Sequence, residues 1–267
     1  MAISRYKNYL IEPIHASKVH SYLELFNNCF PNYSRTLEYL NKLYFQNPRG
    51  SVIGFDAFDE FGLVAHYACI PIKMNNSKSL SLLSINTAVN PRGQNQGLFK
   101  HLAQLTYELG SKSGFNCVIG IANSNSLHGF LKHLEFDLVG YLNLRLGPIV
   151  RTNQGTREYS NVDIDWLKSL SNQEMRIKRF APDVLDVRTK IYNHNFFLGT
   201  NIFLESYDDL VYKKFMAITL DWNLRPRPSL SLPKKFKPSP LALIKKELSN
   251  EDKFELKSWS LIDFDLF

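Results

Sequence analysis

Long apolar runs are missing from this chain. No window approaches the roughly 18 to 20 consecutive apolar residues that a membrane-crossing helix needs, and the start, Met1-Ala-Ile-Ser-Arg-Tyr-Lys7, lacks the apolar centre of a secretory leader. Membrane insertion and export are not expected. Cysteine is also scarce. Cys29, Cys69 and Cys117 are odd in number, far apart and set in apolar surroundings, which argues against a disulfide framework or a metal knuckle and fits a cytoplasmic protein. There is no low-complexity tract and no clear internal repeat. Charge of one sign does not dominate either: 32 Lys and Arg against 25 Asp and Glu leave +7. That excess favours anionic small ligands, but the aromatic-basic pattern of a nucleic-acid binder is absent.

What is present is an ordinary globular balance. Hydrophobic residues make up 44 % and aromatics 13 % of 267 residues, enough for a sizeable core and for two small domains. Alternation over residues 6–14 predicts a short strand. Ser17 opens a helix carrying Val19, Tyr22, Leu23, Leu25 and Phe26 on one face, and Ser34 or Thr36 caps a second one with Leu37, Leu40, Leu43 and Tyr44. Residues 51–56 and 63–73 flank the charged turn 59–62 and predict a hairpin. Residues 80–89 predict a strand closed by Asn90 and Pro91, followed by a helix from Gly97 to Gly110. The near-continuous apolar run 116–122 predicts a strand covered on both faces, paired with 80–89. Ser124 or Ser126 caps a helix through His133, and 136–146 alternates as a closing strand.

The polar tract 151–158 reads as a linker, dividing the chain into 1–150 and 151–267. In the second part, 241–248 predicts a helix and 254–267 an aromatic, strand-like end. Between them and the centre lies a basic, proline-punctuated stretch, 225–240. Arg225, Arg227, Lys234, Lys235 and Lys237 there fit a solvated tail or a clasp for an acceptor's diphosphate.

The stretch that organises the chain is 82–99. An apolar strand runs through Arg92, Gly93 and Gly97 directly into a helix, leaving free backbone amides at the helix start, where an anion is favoured. A phosphate-bearing cofactor is expected there.

Arg92-Gly-Gln-Asn-Gln-Gly97 resembles the acyl-CoA loop of GNAT-type N-acetyltransferases, whose pattern is Gln or Arg, two residues, Gly, one residue, Gly or Ala. Asn95 stands where the middle Gly is usual, and Asn tolerates a left-handed backbone better than other non-glycine residues. Asn123, Ser126, Phe130, Lys132, Leu134, Phe136 and Gly140 are similar to the family's second motif, with Glu135 replacing its common Gly. The resemblance covers roughly residues 6–146. It implies an α/β fold: a GNAT-like mixed central sheet, flanked by helices, in which two parallel strands splay apart, plus a smaller C-terminal region. Trp259, Asp263 and Asp265 resemble the end of bacterial surface-polysaccharide-pathway proteins that carry an incomplete second acyltransferase-like half.

That likeness implies acetyl-CoA as acyl donor. Its pantetheine would pair with the strand edge at Thr87, Ala88 and Val89, and its pyrophosphate would sit on Arg92, Gly93, Gln94, Asn95, Gln96, Gly97 and Leu98. Asn123, Ser126 and Phe130 would flank it. A primary amine, by family analogy on a nucleotide-linked amino sugar, would attack the thioester directly. The usual acid and base are both missing: Phe130 stands near the place of a Tyr, and Ser84 and Asn86 stand where a carboxylate is common. The catalytic candidates are therefore His66, Tyr67 and Asn86, with a satisfied, half-buried histidine as the competing reading of His66. Two alternatives stay open: transfer-RNA-dependent aminoacyl transfer in cell-wall synthesis, and a catalytically silent CoA-binding or partner-binding module.

Overall fold

The computed structural model describes residues 4–30, 35–75, 77–149, 157–170, 175–181, 184–191, 194–203, 214–222, 230–231, 241–249, 255–256 and 259–260. β1 (Ser4–Tyr6) and β2 (Tyr9–Pro13) form a tight hairpin. Two amphipathic helices follow, α1 (Val19–Cys29) and α2 (Leu37–Phe45), burying Tyr22, Leu25 and Phe26 from the first and Leu40, Leu43 and Tyr44 from the second. Thr36 caps α2 by accepting from the Tyr39 amide, one of the two caps expected.

The hairpin of β3 (Ile53–Asp59) and β4 (Gly62–Lys73) leads to β5 (Leu80–Val89), α3 (Leu98–Lys112) and β6 (Cys117–Ala122). α4 (Ser124–His128) continues as a π turn over Gly129–His133. Its cap is Asn123, whose side chain accepts from the amides of Asn125 and Ser126, and not a serine. The remaining elements are β7 (Asp137–Tyr141), β8 (Asn143–Ile149), α5 (Asn161–Leu170), β9 (Met175–Ala181), β10 (Val184–Ile191), β11 (His194–Phe203), β12 (Lys214–Trp222), β13 (Leu230–Ser231), β14 (Ala242–Glu247) and β15 (Trp259–Ser260).

Two sheets result. The first has the order β1-β2-β3-β4-β5-β6-β14-β7 and the second β13-β8-β12-β11-β10-β9, with β15 on β12. On one face of the first sheet, α1, α2 and α5 enclose a core with Ile70, Ile72, Leu83, Leu243 and Trp259. On the other, α3 and the π turn enclose Tyr67, Leu82, Leu102, Tyr107, Phe130 and Ile244.

The pairings cross the boundary drawn at residue 150. The run 136–146 is two strands, broken at buried Leu142. β7 stays at the edge of the first sheet, whereas β8 leaves it to lie antiparallel to β12 and β13. Residues 241–248, expected as a helix, instead supply β14, antiparallel between β6 and β7. Each half thus lends one strand to the other: β6-β14-β7 mirrors β12-β8-β13. The physical reason is the open edge of β6, whose apolar residues need a partner on both sides. α5 ties the halves further. Asp163 takes the Arg49 fork at 2.9 and 2.6 Å, and the Trp166 indole donates to the Lys42 carbonyl.

Candidate active site

β5 and β6 run parallel and pair only at Leu82 with Val118 and Leu83 with Ile119. Beyond that point the strands part, so the β5 edge from Ser84 to Val89 has no strand partner on that side among the described residues. The divergence coincides with a bulge. Ile85 lies opposite Ala68 and Ala88 opposite His66, leaving Asn86 and Thr87 against Tyr67 alone. Asn86 accordingly adopts a left-handed backbone, φ +47°, a conformation that Asn bears better than a branched residue. Thr87 and Val89 are half-buried at this edge and Ala88 is buried.

The loop that follows uses its first amides internally, Gln94 donating to the Pro91 carbonyl and so, like Gly93, not open to the expected pyrophosphate, and leaves free only those from Asn95 onward. Asn90 folds a one-turn 3-10 helix over Pro91–Gly93, its side chain accepting from the Arg92 amide and its carbonyl from the Gly93 amide. Gln94, Asn95, Gln96 and Gly97 are exposed. Asn95 sits at φ +60° and Gly97 at φ +80°, so Asn95 does adopt the left-handed turn expected of it. The first helical bond of α3 runs from the His101 amide to the Gly97 carbonyl. Among the described residues, no protein oxygen caps the amides of Asn95 through Lys100, which therefore form a positive helix end open to an anion. Lys7 braces the loop by donating to the Gln96 carbonyl at 2.8 Å, and Tyr6 stacks on His101 with centroids 4.0 Å apart. Burial among these groups lowers the His101 imidazole below its ordinary pKa.

Other expected cofactor residues have different duties. The Arg92 guanidinium is held by Asp59 at 2.7 and 3.2 Å and by the Leu63 carbonyl, so it ties the loop to the β3–β4 turn. Gly93 is buried against Val64 and Leu98. Leu98 packs into the core, leaving its amide as the useful group. Asn123 and Ser126 bond to one another at the start of α4. Phe130 is buried, edge-on to Phe99 and Phe136 with centroids 5.2 Å away in each case, and offers no proton.

The catalytic candidates separate. His66 and Tyr67 are neighbours on β4 and so point to opposite faces of the sheet. Tyr67 is fully buried, bonded to Ser84 at 3.0 Å and Tyr107 at 2.5 Å. Burial pushes its hydroxyl well above the ordinary tyrosine pKa, and that of Tyr107 likewise, and at 0 % exposure Tyr67 is sealed in the core, away from solvent. His66 is also fully buried, with Asp56 on Nδ1 at 2.7 Å and the Tyr44 hydroxyl on Nε2 at 2.9 Å. This is the satisfied histidine that competed with the catalytic reading, and in this geometry it cannot touch a substrate directly. Only Asn86 is both at the gap and joined to this network, donating from Nδ2 to the Tyr44 oxygen at 3.1 Å.

Sequence reasoning missed Asp56, Tyr44, Tyr22, Asp59 and Lys7. A hairpin count from the 59–62 turn comes within one residue of pairing Asp56 with His66, and a bulge at Ala57/Phe58 supplies the missing step. Among the described residues no group of three or more His, Cys, Asp or Glu could hold a metal ion. Arg225, Arg227, Lys234, Lys235 and Lys237 of the basic stretch, with Asp263 and Asp265, lie outside the described residues.

No protein-family model and no curated protein matches this sequence. Solved structures do. A GCN5-related N-acetyltransferase from Anabaena variabilis aligns over 90 % of this chain and 73 % of its own, with a TM-score of 0.57 at 10 % identity. A candidate acetyltransferase from Pyrococcus horikoshii aligns over 95 % and 94 %, with a TM-score of 0.55 at 9 % identity. An Escherichia coli GNAT family N-acetyltransferase, solved in complex with CoA, covers 52 % of this chain and 73 % of its own at a TM-score of 0.42 and 15 % identity. The mixed sheet with splayed parallel strands, built across both halves of the chain, is the fold of the GNAT-type N-acetyltransferases.

Proposed function

We propose that the chain is an acetyl-CoA-dependent N-acetyltransferase that acylates a primary amine by direct attack in a ternary complex. One observation carries the reading: the unpaired β5 edge opens beside the splay and leads, on the same strand, into a loop whose amides from Asn95 to the start of α3 lack protein acceptors among the described residues. The first fits the two amides of a pantetheine arm, which hydrogen-bond as a strand would, and the second fits a diphosphate. These two groups lie on one molecule, a CoA thioester, which supplies the activated acyl carbon.

The chain's own work is binding and orientation. Backbone groups at Thr87 and Val89 would align the arm, and the α3 end would hold the phosphates, so that an amine in the gap meets the acyl carbon at short range. The N–C bond forms as the C–S bond breaks, the ammonium proton leaves through solvent, and the thiolate leaves without help from Phe130. For the acceptor we propose a nucleotide-linked amino sugar, supported by the +7 excess and by the sequence resemblance. The second sheet reads as an incomplete GNAT-like half: ten residues separate its parallel strands β11 and β12, against 27 between β5 and β6. We assign the protein to the cytoplasm on its free cysteines.

Calorimetry with acetyl-CoA, followed by CoA release across a panel of primary amines that includes nucleotide-linked amino sugars, tests the reading. Micromolar binding with release is expected. Binding without release would leave a silent CoA-binding module, release only with charged transfer RNA would favour aminoacyl transfer, and no binding would overturn the assignment.

A further inference from the structure

The core beneath the bulge contains a polar chain that the proposed transfer does not yet use. Asp56 and His66 face one another across β3 and β4, both 0 % exposed. Tyr22 bonds to the far oxygen of Asp56 at 2.8 Å and lies 4.6 Å, centroid to centroid, from the imidazole. Tyr44 stacks on that imidazole at 5.7 Å, and Phe26 meets it edge-on at 5.4 Å. The groups facing His66 are thus Asp56 from β3, Tyr22 from α1 and Tyr44 from α2, and among the described residues none of them is a cation. So polar a cluster is expensive to bury, and it ends at the one candidate that reaches the gap.

We propose that Asp56, His66 and Tyr44 form a positioning relay that fixes the Asn86 side chain with its amide oxygen free to receive an N–H of the acceptor amine. This rests on the acyltransferase reading. For a neutral imidazole the donor directions leave one arrangement. A carboxylate only accepts, so His66 Nδ1 carries the proton given to Asp56. Nε2 is then bare and must accept from the Tyr44 hydroxyl. The Tyr44 oxygen, its proton committed, accepts from Asn86 Nδ2, which turns the NH2 group inward and Oδ1 away from the relay. Among the described residues Oδ1 accepts no hydrogen bond, yet it is not one of the buried unpaired atoms. It is therefore an unpaired acceptor not sealed from solvent, three residues beyond the last β5–β6 pair. An amine bound there would donate one N–H to Oδ1, orienting its lone pair for attack. An imidazolium at His66 would keep the Asp56 bond but donate from Nε2, reversing the Tyr44 and Asn86 bonds and setting an N–H donor against the amine.

The test uses the full-length protein. Acetyl-CoA affinity and amine-dependent CoA release are measured for the native chain, Tyr44→Phe, Asn86→Ala and the double variant. The expected result is an acetyl-CoA Kd within about twofold of native and a kcat/KM for the amine lowered about tenfold or more in each single variant. The double variant should be no worse than Asn86→Ala, because Tyr44 acts through Asn86. Additive losses, or full activity in Asn86→Ala, would overturn the relay while leaving the transferase reading intact. Absent acetyl-CoA binding in the native protein would instead bring down that reading and the relay with it. Should Tyr44→Phe lose its cooperative melt, nitrogen-15 NMR of the native histidines decides: a bare Nε2 on His66 at neutral pH supports the relay, and a protonated one refutes it.

Discussion

Removing residues 241–267 should unfold the protein, although the cut lies far in sequence from the loop proposed to bind phosphate. β14 supplies both cores of the first sheet at once. Leu243 enters the face beneath α1 and α2, Ile244 the face beneath α3, and both are 0 % exposed. Losing a buried aliphatic side chain costs about 2–5 kcal/mol, so these two together account for on the order of 4–10 kcal/mol, against a total stability of about 5–15 kcal/mol for a typical domain. The cut also strips the ladder from β6, where six residues, Cys117–Ala122, pair with 242–247. A graded version is Leu243→Ala alone, which should lower Tm by roughly 5 to 20 °C. Thermal unfolding followed by circular dichroism, with acetyl-CoA affinity measured alongside, is the assay. If the chain 1–240 melts cooperatively within a few degrees of the full protein and still binds acetyl-CoA, the shared-core reasoning fails and the boundary near residue 150 is a true one.

Gly97→Ala should weaken acetyl-CoA binding about tenfold: a left-handed Ala costs about 1–2 kcal/mol, and its Cβ would lie 2.9 Å from the Tyr6 hydroxyl. Unchanged affinity by calorimetry would move the phosphates elsewhere. Asp163→Asn should cost about 1.5–3 kcal/mol at neutral pH. Burial alone would raise the Asp163 carboxyl, but Arg49 and Ser160 hold it below its ordinary value. Its contribution is therefore complete above the unfolded carboxylate pKa and is lost as pH falls through the depressed folded one. Urea midpoints across that acid window should show the gap between native and variant closing, and a gap independent of pH would contradict the assignment. Tyr67→Phe should cost about 1–3 kcal/mol, because Ser84 and Tyr107 lose a buried partner. It should leave the pH dependence of transfer as it was, and a shifted profile would return Tyr67 to the list of bases.

The strand, loop and helix over 80–112 were legible because each depends on local chemistry: a β-branched run, proline and asparagine at its end, and glycine or asparagine where φ is positive. The same holds for α1, α2 and the β3–β4 hairpin. Residues 241–248 were not legible in this way. Leu-Ala-Leu-Ile-Lys-Lys-Glu-Leu has good helix propensity and a helical apolar spacing, and only the vacant edge of β6, over a hundred residues away in sequence, makes it a strand. Alternation over 136–146 likewise identified extended chain but could not show that it changes sheet at Leu142. At the site, positions at the gap could be read from the loop, whereas the faces of His66 and Tyr67 required the β4 register. The partners of His66 required a bulge whose place no local signal marks.

The reciprocal loan of strands has a consequence for biosynthesis. When a ribosome has translated β1 through β7, the slot between β6 and β7 is still empty, and its occupant is about a hundred codons from being translated. Nascent chains must wait with an apolar groove uncovered, a state in which chaperones or a neighbouring chain's β14 can intervene. Maturation of the protein is therefore coupled to completion of its translation, and premature termination anywhere upstream of β14 would yield a product unable to close its own sheet.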